Sequence, residues 1–272
     1  MNVKTLSIIL CVLILLAACS APGGETLAPS QLAETQTPIP QEPEMTEVPR
    51  EFSGRILLIG DSFTAGVDEP FFGLITSAHP DESIEMESVW VGGTSLEGHW
   101  RLSDRARNTI NEGSWTTVVL QDDLLIGPID PESFFEHVRL FHNENVNVGA
   151  ETILYMPWEY DVDDGRTIDD IENAYRTIGD ELGVKVAPVG LAWANALNER
   201  PDFNLYSDGV HSNLRGTYLT VCVLYATIFE ASPEGNAFPP EALLLELEES
   251  ESMTDEDIAF LQRVAWKTVQ DY

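Results

Sequence analysis

Basic residues are scarce in this 272-residue sequence: 14 Lys and Arg stand against 46 Asp and Glu, giving a net charge of −32 at pH 7. That scarcity excludes a nucleic-acid binder working by charge, because counterion release needs clustered cations and a polyanion would be repelled over most of this surface. Anionic membrane surfaces are poor partners for the same reason. Cysteine is scarce too, at three residues. No Cys/His cluster has zinc spacing, no glycine-rich loop leads into a Lys for phosphate, and no acid pair has the spacing of a calcium loop. The expectation is therefore no metal, no nucleotide and no cofactor. There is no internal repeat, and the apolar run near the start, Leu6 to Leu16, is too short to span a bilayer. What is present in quantity is core material: 43% of residues are hydrophobic and 22% charged, the balance of a globular protein.

Residues 1–19 have the order of a signal segment: Lys4, the apolar run, then small residues Ala17 and Ala18. Leu16-Ala17-Ala18-Cys19 resembles the lipobox of bacterial lipoproteins, which implies that Cys19 is lipidated and that the protein is extracytoplasmic, held to the bilayer through Cys19 alone. Residues 20–51 follow as a tether. Between Ser20 and Arg50 lie six prolines, two glycines and no aromatic residue, too little apolar area to offset the entropy of ordering. Cys11 would leave with the signal and Cys19 would carry lipid, so Cys222, in the apolar run Tyr218 to Phe229, has no disulfide partner and reads as a small core residue.

From residue 52 to 272 short apolar runs alternate with longer amphipathic segments, the pattern of a parallel sheet covered by helices. Strands are expected at Arg55–Gly60, Ser83–Val91, Thr116–Gln121, Glu151–Met156 and Val184–Pro188. Helices are expected near Phe71–His79, Arg101–Glu112, Pro131–Asn145, Thr167–Leu182, Leu214–Glu230 and Thr254–Val269, and Ala231–Pro240 reads as a surface loop. His79, His137 and His142 fall at helix-like positions expected on the surface. Five strands with crossovers make one α/β domain.

The first strand runs straight into Gly60-Asp61-Ser62. In an open α/β sheet ligands bind beyond the carboxyl ends of strands, which puts Ser62 in nucleophile position, although Asp61, Ser62 or Thr64 could equally cap the next helix. Far along the chain, Asp208-Gly209-Val210-His211 places an acid three residues before a His, just ahead of a helix. A serine hydroxyl needs a base within hydrogen-bond reach, and that base needs a partner that fixes its tautomer. His211 and Asp208 can fill those roles.

Together these blocks resemble the SGNH (GDSL-like) hydrolase family. The resemblance implies a three-layer α/β/α sandwich, flavodoxin-like with a five-stranded parallel sheet, and an acyl-enzyme mechanism with Ser62 as nucleophile, His211 as base and Asp208 as its orienting partner. It also implies an oxyanion hole made by the Ser62 amide, a glycine amide and a side-chain amide. Val91-Gly92-Gly93 is similar to the glycine block, with Gly93 the expected donor. The third block departs from the family's Asn: here Gln121, at the end of the third strand, would have to supply the donor on a stem one methylene longer. Ser95-Leu96-Glu97-Gly98-His99 is similar to a segment found in an uncharacterised bacterial branch with the same Gln. Asp61, His99 and Trp158 are the expected pocket residues, Trp158 as a ring on which a sugar could stack.

The expected function is that of a lipid-anchored serine esterase acting on O-acyl, chiefly acetyl, groups of carbohydrate or other small esters, as a monomer. The rivals are a catalytically silent glycan-binding protein of the same fold and an O-acyltransferase using the same three residues.

Overall fold

The computed structural model describes residues 54–122, 131–162, 165–236 and 253–272, all within one compact unit, Pro49–Tyr272. The expected signal segment, Cys19 and the tether lie outside the described residues, as does the end of the expected loop at 237–240. Five parallel strands form a single sheet: β1 (Gly54–Gly60), β2 (Ile84–Trp90), β3 (Thr117–Gln121), β4 (Glu151–Tyr155) and β5 (Lys185–Ala187), in the order β2-β1-β3-β4-β5. The interior strands are buried on both faces, which is why β1 and β3 read as unbroken apolar runs; β2, at an edge, alternates between buried and exposed residues.

Helices cover both faces. On one face lie α1 (Ser62–Ala65), α2 (Asp68–Ala78), α7 (Val189–Glu199), α8 (Leu214–Phe229) and α9 (Asp255–Asp271), packed on Ile56 and Leu58 of β1. The other face carries α3 (Leu96–Arg101), α4 (Arg105–Glu112), α5 (Pro131–Val148) and α6 (Ile168–Leu182), packed on Leu57 and Ile59. The alternation of β1 side chains between the two cores is the period-2 geometry of a strand. Helix α8 is buried on nearly every side, lying against α2, α7, α9 and the sheet, which suits its all-round apolar sequence; Cys222 is one of its buried residues. Thr254 with Asp257, and Thr167 with Asp170, form capping boxes that start α9 and α6.

Three expectations change. The helix expected at Arg101–Glu112 starts only at Arg105, as α4; Arg101 ends α3, a separate helix, and between the two the Ser103 hydroxyl accepts from the Arg105 amide at 3.1 Å. Helix α7 was not signalled by apolar runs: it begins directly after Pro188, which stands at its N-cap. His137 is buried, not superficial, with its Nδ1 2.7 Å from the Ser133 carbonyl.

Candidate active site

The carboxyl ends of the strands bring the two motifs together. At the end of β1 the chain turns through Asp61 into α1, and the Asp61 carboxylate caps that helix by accepting from the Phe63 amide at 2.8 Å. Ser62 therefore opens a helix at the sheet edge. Across from it, residues 206–212 form a tight loop closed by a bridge between Tyr206 and Ser212, by the Ser207 amide on the His211 carbonyl at 2.9 Å, and by Gly209 at φ +85°, a backbone angle that favours glycine. This loop folds Asp208 back on His211: Asp208 Oδ2 lies 2.8 Å from His211 Nδ1, while Asp208 Oδ1 accepts from the amides of Val210 and His211 at 2.9 and 2.7 Å. The far nitrogen, Nε2, is 3.1 Å from Ser62 Oγ.

The electrostatics follow from these contacts. The hydrogen bond from His211, and then those from the two amides, hold the Asp208 carboxyl down at about 2. Ionised Asp208 keeps the Nδ1 proton of His211 facing it, which leaves Nε2 as an acceptor for the Ser62 hydroxyl. This is the arrangement of a nucleophile, a base and an orienting acid.

Asn213, which the sequence reading did not single out, anchors the loop to the fold. Its side-chain oxygen accepts from the amides of Arg215 and Gly216 to start α8, and its nitrogen donates to the carbonyls of Asn204 and Tyr206. An Asn immediately before a long apolar run was the available signal.

The glycine block stands beside the nucleophile turn. Trp90 pairs with Gly60 in the β1–β2 register, the Val91 amide donates to the Gly60 carbonyl at 3.2 Å, and Gly92 and Gly93 then turn at the exposed rim. A Cβ added at either glycine would meet nothing within 4 Å, so the space over them is open.

The remaining expected residues sit elsewhere in the site. Gln121 is 0% exposed: its Oε1 accepts from the Asp61 amide at 2.8 Å and from the Thr64 hydroxyl at 3.0 Å, and its Nε2 donates to the Asp122 carbonyl at 2.6 Å. It is a strut beneath the nucleophile turn, with no surface for an oxyanion to touch, which corrects the expected donor role. Gly60 is part of the same device, because a Cβ there would lie 2.3 Å from both Gln121 Oε1 and Thr64 Oγ1. Asp61 is likewise a buried cap, not a pocket wall.

His99 is also buried, its Nε2 2.8 Å from the Gly60 carbonyl, and burial lowers its pKa against the raising effect of that hydrogen bond. It braces β1 and does not line the crevice. Trp158 is 0% exposed, stacked on Trp193 at 4.0 Å and 2°, so no sugar ring reaches it. The exposed aromatic at the carboxyl edge is Trp90, 44% accessible, which the sequence reading passed over although it stands two residues before the glycine pair. Among the described residues no group of His, Cys, Asp or Glu is arranged to hold a metal ion.

No protein-family model matches the sequence, and no curated protein does. Solved structures do match the fold. A DUF4886 family protein from Bacteroides uniformis is 16% identical with a TM-score of 0.66, over 80% of this chain and 95% of that one. A candidate SGNH hydrolase from Slackia heliotrinireducens is 23% identical with a TM-score of 0.54, over 65% of this chain and 100% of its own. Axe2, an acetylxylan esterase from Geobacillus stearothermophilus, is 17% identical with a TM-score of 0.56, over 65% and 95%. With its five-stranded all-parallel sheet and helices on both faces, the chain has the α/β/α fold of the SGNH hydrolases.

Proposed function

We propose that the protein is a serine ester hydrolase. The observation that carries this reading is the continuous hydrogen-bonded chain from Ser62 Oγ to His211 Nε2 at 3.1 Å and from His211 Nδ1 to Asp208 Oδ2 at 2.8 Å. Ser62 attacks the ester carbonyl carbon while His211 Nε2 takes the hydroxyl proton. The oxygen that becomes negative is met by the backbone amides of Ser62 and Gly93. His211 then gives its proton to the leaving alcohol, and an acyl group remains on Ser62 Oγ. Water, deprotonated by the same nitrogen, attacks that acyl carbon; the bond from the acyl carbon to Ser62 Oγ breaks, Oγ takes the proton back from Nε2, and the acid leaves.

The proposed substrates are carbohydrates bearing small O-acyl groups, chiefly acetyl, at the cell envelope. Three observations support this class: the acetylxylan esterase among the proteins of like fold, the exposed Trp90 at the rim as a surface for a sugar face, and the lipobox-like Cys19, which would hold the domain at a membrane. Gln121 favours a second reading, a glycan-binding protein without turnover. With its amide turned inward the hole is left with two backbone donors, and one missing donor costs roughly a hundred- to thousand-fold in rate.

Fluorophosphonate labelling and para-nitrophenyl acetate turnover, compared between the chain and its Ser62→Ala variant, separate the two readings. Labelling and turnover that both disappear in Ser62→Ala are the expected result. A folded chain that neither labels nor turns over would sink the esterase reading in favour of the binding protein.

A further inference from the structure

The loop after β4 reaches under the Asp208–His211 turn and ties to it three times. The Trp158 indole Nε1 donates to the Val210 carbonyl at 2.9 Å, the Asp161 amide to the Gly209 carbonyl at 2.8 Å, and the Tyr206 hydroxyl to the Glu159 carbonyl at 2.6 Å. Of the three, Trp158 also touches the opposite half of the site. Its ring packs at 4.5 Å on Phe63, the residue after the nucleophile, and Phe63 in turn meets the His211 ring edge-on at 5.8 Å. Behind it the stacked Trp193 is pinned to α8 through Thr220, with Nε1 3.2 Å from that hydroxyl.

We propose that Trp158 is a positioning residue that sets the distance between Ser62 and His211. The inference rests on the esterase reading for its kinetic consequence. A core tryptophan needs only some acceptor for its N–H. Here that acceptor is the main chain of the turn bearing the base, one residue before His211, and the ring bears on the helix bearing the nucleophile. Trp158 thus spans the two parts that must meet. Both faces of the reaction depend on that span, since a misplacement of about 1 Å in a reacting pair can cost a hundredfold in rate.

Trp158→Phe keeps an aromatic ring in the stack and removes the N–H. Its control is Trp193→Phe, which removes an equally buried indole N–H whose partner is the Thr220 hydroxyl of α8, not the main chain of the catalytic turn, and keeps a ring beside Trp158 and Tyr206. On para-nitrophenyl acetate, the Trp158→Phe chain is expected to lose about tenfold in kcat with KM within about twofold, and to label more slowly with fluorophosphonate, whereas Trp193→Phe lowers Tm by a similar amount and leaves kcat unchanged. Equal kcat in the two variants and the parent would overturn the proposal and leave Trp158 as packing alone. A readout independent of turnover keeps this separate from the esterase reading: the His211 Nδ1 proton in ¹⁵N-edited NMR spectra. If the parent chain proves inactive, exchange broadening of that proton in Trp158→Phe, but not in Trp193→Phe, still supports positioning, and an unchanged signal refutes it.

Discussion

The two halves of the candidate site are built in opposite ways. The nucleophile turn rests on buried polar groups: Gln121 from the end of β3, bonded to the Asp61 amide and to Thr64 of α1, the Asp61 cap within the turn, and His99 of α3 on the carbonyl of Gly60. The turn carrying Asp208 and His211 is exposed and is held by main-chain hydrogen bonds from its own loop, from Asn213 and from the segment after β4. A buried polar group left without its partner costs the full penalty of desolvation, whereas an exposed one recovers most of it from water. Damage to the first half should therefore be read in stability, and damage to the second in rate.

The sharpest break in that comparison is Asp208→Asn. An Asn amide can donate to Nδ1, which moves the ring proton to Nε2 and leaves Ser62 facing a donor; kcat should fall about a thousandfold or more, with only a small fall in Tm from losing the exposed carboxylate's contribution. A large loss of Tm would show that the exposed turn is integral to the fold. The same carboxylate has a predictable pH signature. Its folded pKa, about 2, lies below the unfolded value, so its contribution to stability is complete above about pH 4 and is lost as pH falls toward 2. Acid loss of activity well above pH 4 must accordingly come from protonation of another group, and Asp208→Asn should flatten the stability profile only below about pH 4.

Gln121→Leu tests the buried half. It strands the Asp61 amide and the Thr64 hydroxyl, at about 1–3 kcal/mol for each unsatisfied group, and a fall of that order in unfolding free energy by urea titration is expected. Were the variant as stable as the parent but a hundredfold slower, Gln121 would be an oxyanion donor and the strut assignment would be wrong.

The smallest effect belongs to His99. Its folded pKa is lowered by burial, so the unfolded chain binds the proton more readily, and stability should decline as pH falls below about 6.5. Comparing the parent with His99→Gln, in denaturant titrations between pH 7 and 5, should show a shallower decline in the variant.

Much of this architecture was legible from local pattern. The five strands lie within a residue or two of the apolar runs that announced them, because a strand covered on both faces must be apolar along its length. The break between α3 and α4 and the start of α7 were less legible, since neither α4 nor α7 is opened by a side-chain cap at its N-cap residue, Asp104 or Pro188. In the site, Asp208 and His211 were legible as a pair because only the two turn residues Gly209 and Val210 separate them. Trp158, His99 and Gln121 were legible only as polar or aromatic residues at or after the strands, and their partners stand far off in sequence, at Val210, Gly60 and Asp61.

The sequence by itself determined the order of the strands along the chain, the two loops that carry Ser62 and the Asp208–His211 pair, and the strong net acidity, because each of these resides in composition or in short-range spacing. Only the tertiary structure decided which side chains at the carboxyl edge face the crevice and which face inward. That choice turned Gln121, His99 and Trp158 from expected contacts of the substrate into supports of the residues beside it. It is made by contacts between residues tens of positions apart, where a buried amide, imidazole or indole must find its partner within the protein because water cannot reach it.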